Sequence, residues 1–224
     1  MTQGRCLADR FWVLETIDAS GATELCLARD AELGEQVALR LLGAALAGHW
    51  EALRDACRET RPLAHPHIAR VFDFHRAGGA PFICREYVAG ARIVDLAAES
   101  AADRLGALAQ VAAALEAAHA RGVVHGDLKA SKILRDERGA IRVTDFRVAA
   151  TLRAATSQTP RGAHASPQVR GGESPAAADD VYSLGVLTAQ LLASEPLPRE
   201  LGALLDAMRA SARSARPHDL EEIR

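Results

Sequence analysis

The chain has 224 residues, 49% of them hydrophobic but only 4% aromatic, so alanine, leucine and valine must fill the core it builds. A formal net charge of -2 excludes a global electrostatic pull toward nucleic acid or an anionic membrane surface. Cys6, Cys26, Cys57 and Cys84 show no metal-ligand spacing, and no apolar run reaches the roughly 18 residues that span a bilayer; reduced thiols, a cytoplasmic setting and no membrane contact within this segment are expected.

In chain order, Phe11–Ile17, Glu24–Arg29 and Glu35–Leu42 read as strands separated by Ala-Ser-Gly and Glu-Leu-Gly turns. A helix is predicted over Trp50–Thr60, stopped by Pro62. Two further strands, Ile68–Phe74 and Phe82–Val88, flank a Gly78-Gly79 turn, which makes a five-stranded antiparallel sheet plus one helix. Beyond Arg92 the pattern turns helical: Asp103–Arg121 places Leu105, Leu108, Val111, Ala112, Leu115 and Ala118 on one stripe, with Gly122 as a C-cap signal. Short strand-like pieces follow at Val123–His125, Lys132–Leu134 and Ile141–Thr144, then a loop over Thr151–Pro175 and helices over Asp179–Ala193 and Arg199–Ala210. The fold class is α+β, one domain over 1–224, with a β-rich N-lobe at about 8–89 and a mainly helical C-lobe at about 91–224.

Of the 27 basic residues only Lys129 and Lys132 are lysines. Against that arginine background, which points to a GC-rich bacterial genome, a single Lys-to-Arg change says little. Two lysines three residues apart say more.

His125-Gly126-Asp127-Leu128-Lys129-Ala130-Ser131-Lys132 followed by Asp145-Phe146-Arg147 resembles the protein kinase superfamily, bacterial serine/threonine kinases in particular, as a degenerate member. The ordered set extends over nearly the whole chain: Val37-Ala38-Leu39-Arg40, the turn at His65–Ile68, a hinge at Glu86-Tyr87-Val88, Ser166-Pro167-Gln168, and Asp180 through Gly185. The resemblance implies a two-lobed kinase-like fold with a shortened C-lobe, and chemistry that manages charge around a transferring phosphoryl group.

Position by position, the resemblance implies the following. The phosphate-cradling glycines fall on Asp18, Ser20 and Thr23, with Gly21 between them, and a carboxylate at Asp18 repels polyphosphate. The phosphate-pairing lysine is Arg40, bulkier and forked. Its helix partner falls at Ala56, beside Asp55 and one turn before Glu59, and the hinge residues for nucleotide are Glu86 and Val88. Asp127 takes the place of the catalytic base and Lys129 that of the residue steadying the phosphate; both are expected to be vestigial. Gly126 replaces an arginine that clamps a phosphorylated activation loop. Lys132 replaces a metal-binding asparagine, and an ammonium has no lone pair for magnesium, which leaves Asp145 a doubtful metal ligand. Two readings of Lys132 stand, a salt bridge to Asp145 or Asp127, or a solvent-facing residue without a role. Arg147 stands where glycine usually follows. Gln168 neutralises the acid that Arg216 normally pairs, and Asp180 matches the aspartate that braces the catalytic loop. His125, Trp12 and Trp50 read as packing residues; Thr151, Thr156, Ser157 and Thr159 read either as phosphorylation targets or as a polar loop.

The function expected is a pseudokinase: a regulatory module that binds a protein partner, binds ATP weakly or not at all, and needs no cofactor. Four altered positions at about tenfold each remove roughly 5–6 kcal/mol of transition-state stabilisation. The alternative is a weakly active or atypical serine/threonine kinase that uses Asp127 and Asp145 with ATP and magnesium.

Overall fold

The computed structural model describes residues 5–20, 23–77, 80–93, 96, 99–156 and 162–220. Gly21, the Gly78-Gly79 turn, Ser157 and Thr159 lie outside them. The chain divides into two compact units, one of Met1–Pro62 with Ala69–Val88 and one of Leu63–Ile68 with Ala89–Arg224.

The first unit is an antiparallel sheet with the helix α1 (Trp50–Thr60). Its strands are β1 (Cys6–Leu7), β2 (Phe11–Ser20), β3 (Thr23–Asp30), β4 (Gln36–Leu42), β5 (Val71–Ala77) and β6 (Ala80–Glu86), in the order β1-β2-β3-β4-β6-β5. The sheet therefore has six strands where the sequence pattern gives five, because Cys6–Leu7 adds an edge too short to show a period. The central position of β4 explains its nearly unbroken apolar run, which is buried from Val37 to Leu42. Phe11, Cys26, Ala28, Val37, Leu39, Phe82 and Cys84 form the core of this unit. α1 buries Leu53, Ala56, Cys57 and Thr60, the i, i+3, i+4, i+7 face of an amphipathic helix. Trp12 is 48% exposed and is not a core residue: it alternates with buried Phe11 along β2 and so points away from the core. Ile68 lies before the strand predicted for it, β5 beginning at Val71, and forms an isolated bridge to Val143.

The second unit is built on α2 (Ala101–His119) and α5 (Ala177–Leu191), with α6 (Arg199–Met208) against α5. Ser100 caps α2 by accepting from the Asp103 amide at 3.1 Å. The buried stripe of α2 runs through Leu108, Val111, Ala112, Leu115 and Ala118, but its first turn buries Arg104 and leaves Leu105 38% exposed. Arg104 is turned inward because its guanidinium donates to the Leu191 carbonyl and pairs with Glu195. A small antiparallel sheet of β7 (Gly90–Arg92), β8 (Ile133–Asp136) and β9 (Ile141–Val143) packs with these helices around a core that includes Leu115, Ile133, Ile141, Val143 and Leu184. Val123–His125 is not a strand. The His125 amide goes to a side-chain carboxylate, so no ladder forms there. The segment read as loop, Thr151–Pro175, overlaps two helices, α3 (Val148–Thr156) and α4 (Pro167–Arg170). α3 carries four alanines among its nine residues, alanine being the strongest helix former, and Ser166-Pro167 supplies an N-cap and an N1 proline for α4. Among the described residues no helix is long and apolar enough to cross a membrane.

Candidate functional site

The loop that carries Asp127 is held from below by Asp180 of α5. This carboxylate, 1% exposed, accepts from the His125 amide and the Gly126 amide, both at 2.8 Å, and from His119 Nε2 at 2.8 Å. His125 is wholly buried; its Nδ1 accepts from the Asp127 amide at 3.2 Å, so its Nε2 carries the proton and donates to the Thr144 carbonyl at 3.0 Å. Burial pushes its pKa down, consistent with a neutral ring whose two nitrogens are both satisfied. The ring also packs against Phe146, with centroids 4.7 Å apart. The backbone that leads into Asp127 is therefore fixed by α5 and by the imidazole.

Both oxygens of Asp127 meet cations. Lys129 Nζ stands 3.1 Å from Oδ2, and Arg153 Nη1 of α3 donates to Oδ1 at 2.7 Å. Arg153 Nη2 also donates to the Gly126 carbonyl. These residues, with Ser166, Asp179 and Ser183, line an open hollow.

Lys132 Nζ donates to Asp145 Oδ2 at 2.6 Å, with Asp145 3% and Lys132 13% exposed at their side chains. The Lys132 carbonyl accepts from the Thr144 amide at 2.8 Å, which sets the two segments side by side. Asp145 and Arg147 have left-handed backbones, with φ of 64° and 61°. The family that the sequence resembles implies magnesium at this point. The donor set does not fit it: the ammonium holds the carboxylate oxygen a divalent ion would need, and offers no lone pair. Among the described residues no group of three or more His, Cys, Asp or Glu side chains could hold a metal.

Arg216, 2% exposed, donates through Nη2 to Gln168 Oε1 at 2.7 Å, and through Nη1 to Asp179 Oδ1 at 2.9 Å. Asp179 also accepts from Ser166 Oγ at 2.7 Å, the Ala176 amide at 2.8 Å and Arg213 Nη2 at 2.7 Å. Burial alone would raise the pKa of Asp179, but hydrogen bonds from Arg213, Ala176, Ser166 and Arg216 outweigh it and hold it below the usual carboxylate value.

In the first unit, Arg40 is 8% exposed on β4 and donates through Nη1 to Thr23 Oγ1 at 3.3 Å. Asp18 is exposed, beside a β2 irregularity between Thr16 and Asp18, and Ser20 pairs with Thr23 across the β2–β3 ladder. Asp55 sits 3.0 Å from Arg54 and 3.6 Å from Arg58. Glu86 has its amide on the Arg70 carbonyl at 2.8 Å, its carboxylate on the Arg70 amide at 3.0 Å, and its own carbonyl accepting from Arg85 Nη1 at 3.1 Å. Val88 is buried. The cross-strand partners Ala38–Arg85 and Arg40–Ile83 put Arg85 and Arg40 on one face of the sheet, both buried.

Three site residues escape sequence reasoning: Arg153, Asp179 and Arg85. Arg85 adjoins the hinge motif, and that adjacency is the one sequence signal for it; the other two act over 26 and 37 residues, where spacing carries no information.

Comparison with known proteins gives one consistent result. The protein kinase domain family matches residues 19–214. The serine/threonine-protein kinase PknB of Mycobacterium leprae is 32% identical over 213 residues, which cover 88% of this chain and 34% of that protein. The serine/threonine-protein kinase PrkC of Bacillus subtilis is 29% identical over 204 residues, covering 86% and 32%. The chain spans about a third of the length of these curated relatives. Among solved structures, the Mycobacterium tuberculosis PknI kinase domain matches with a TM-score of 0.82 at 22% identity, covering 100% of this chain and 96% of that one. A structure titled PpkA-294 apo form matches with a TM-score of 0.81 at 17% identity, covering 100% and 97%. Likenesses at these identities establish the fold alone.

Proposed function

Because the chain belongs to the protein kinase domain family, we propose that it keeps the family fold as a protein-binding, regulatory module in the cytoplasm, with weak or no ATP binding and little or no magnesium-dependent phosphoryl transfer. The supporting observation is the 2.6 Å pair between Lys132 and Asp145, a fixed cation seated on the one retained metal-type carboxylate. Arg40 and Arg85 add two buried guanidinium groups in the first unit, and the Glu86 carbonyl is already engaged by Arg85. Thermal melting with ATP, with and without magnesium, tests the reading: a ligand at 100 times its Kd adds about 2.7 kcal/mol of stability. No magnesium-dependent rise at millimolar ATP is expected, and a clear one sinks the proposal.

A second reading is favoured by the retention of Asp127, Lys129 and Asp145 and by relatives that carry serine/threonine kinase names. Under it the chain phosphorylates serine or threonine slowly, with Asp127 taking the hydroxyl proton. Incubation with γ-labelled ATP separates the two: incorporation that disappears in Asp127→Asn establishes transfer, and equal background in both proteins supports the regulatory module.

A further inference from the structure

We infer that the outer edge of β2 is a docking site for an extended, basic segment of a partner protein, which adds to the sheet as a further strand. β2 is ten residues long, but β1 pairs with it only at Phe11 and Trp12, with one more bond from the Val13 amide to the Arg5 carbonyl at 2.9 Å. From Leu14 onward, β3 is its one strand neighbour among the described residues. Backbone N–H and C=O groups on the other side of that stretch face outward, and a bound chain can take them up only if it is itself extended.

The side chains carry a second observation. Leu14 through Ala19 are all exposed, so the strand offers both faces as well as its edge. Trp12 is 48%, Leu14 53% and Ile17 39% exposed, three large apolar residues on an edge where polar ones guard against stray pairing. The register explains two of them. The pairing jumps from Val13 to Glu15 and from Thr16 to Asp18, so β3 has no residue opposite Leu14 or Ile17. Bulges at these positions break the alternation that would otherwise turn one or the other inward.

The charge of the strand selects the occupant. β2 contains Glu15 and Asp18, both exposed, and no basic residue. A strand bearing lysine or arginine sets its cations against them, whereas an acidic strand is repelled. The bulges also twist the edge away from flat pairing, which disfavours a second copy of this sheet and suits a single flexible segment. Trp12, of a residue type that carries much of the binding energy at interfaces, lies where β1 gives out.

Short capped peptides that alternate valine with lysine, or valine with glutamate, test the inference on the 224-residue chain by calorimetry and hydrogen–deuterium exchange. The lysine peptide is expected to slow exchange of amides within 14–19 and to bind at least about tenfold more tightly than the glutamate peptide. Methylating the amides along one edge of the lysine peptide should abolish the protection, because main-chain donors are then lost. Leu14→Ser should weaken the lysine peptide, and Glu15→Lys should bring the two affinities together; both positions are exposed, so neither change disturbs the core. Absence of protection by the lysine peptide, equal affinity for the two peptides, or full protection of 14–19 before peptide is added overturns the inference. So does self-association of the chain that Leu14→Ser abolishes. No nucleotide or metal enters these measurements, so this inference and the regulatory-module reading can each fail without the other.

Discussion

Arg216 sets its buried guanidinium against Asp179 at 2.9 Å while reaching Gln168 at 2.7 Å, so its charge is met by an aspartate of α5 and not by the residue that occupies the acid position of the family motif. The loss of a carboxylate at Gln168 is therefore not a loss of the ion pair. Asp179→Asn leaves Arg216 buried without that charge, and should cost about 3–5 kcal/mol. Gln168→Ala removes one hydrogen bond and should cost only about 1 kcal/mol. Guanidinium denaturation midpoints compare the two; equal effects would mean that Asp179 does not carry the charge of Arg216.

Stability should fall in two steps as the solution is acidified. Burial lowers the pKa of His75, His125 and His164 from 6.5, so the folded state binds fewer protons than the unfolded one just below that value. Their contribution is complete above pH 6.5 and is lost as pH falls through the lowered folded values. The depressed Asp179 carboxyl contributes fully above its unfolded value of 3.8 and is lost as pH falls below it toward the folded value. Urea midpoints at pH 7.5, 5.5 and 3.5 follow both steps, and a midpoint that rises between 7.5 and 5.5 contradicts the first.

Lys132→Asn should open the Asp145 carboxylate to a divalent ion. The expected outcome is a melting temperature that rises with magnesium in the variant and not in the parent. Lys132→Met removes the ammonium from a buried carboxylate and should cost about 3 kcal/mol, whereas Lys132→Met with Asp145→Leu should cost less than the sum of the two single changes. Additive costs in that cycle would show that the 2.6 Å pair carries no coupling.

Arg147 holds a φ of 61°, a conformation that glycine adopts without strain. Arg147→Gly should therefore release about 1 kcal/mol of backbone strain, set against the interactions that the guanidinium gives up, and a rise of about 2–4 °C in Tm would mean that the strain is the larger. A fall of similar size would mean that the guanidinium makes interactions worth more than the backbone strain.

The sequence reads well where signals are local. α1 coincides with its predicted span because apolar positions recur at helical spacing and Pro62 stops it. The motif order from His125 to Asp145 brings Lys132 and Asp145 within one short stretch, close enough for their pairing to be one of the two readings that the sequence offers. α3 was hidden by the polar residues that follow it, although Ala149, Ala150, Leu152 and Arg153 favour a helix. Arg104 and Leu105 exchange the roles that apolar periodicity assigns, because a carbonyl and a carboxylate at the far end of α5 reward the buried arginine. Arg153 and Asp179 could not be singled out among so many arginines and acids, since their partners are distant in sequence.

The attachment of His125 and Gly126 to Asp180 reaches across 55 and 54 residues of chain. The shape of the segment that presents Asp127 is therefore imposed by residues a ribosome adds later. At about 5–20 residues per second, the nascent motif waits roughly 3–11 s before its brace has even been synthesised. Assembly of this loop belongs to the non-local, slow part of folding, and substitutions at Asp180 should be felt in refolding yield before they are felt in the secondary structure of the remaining chain.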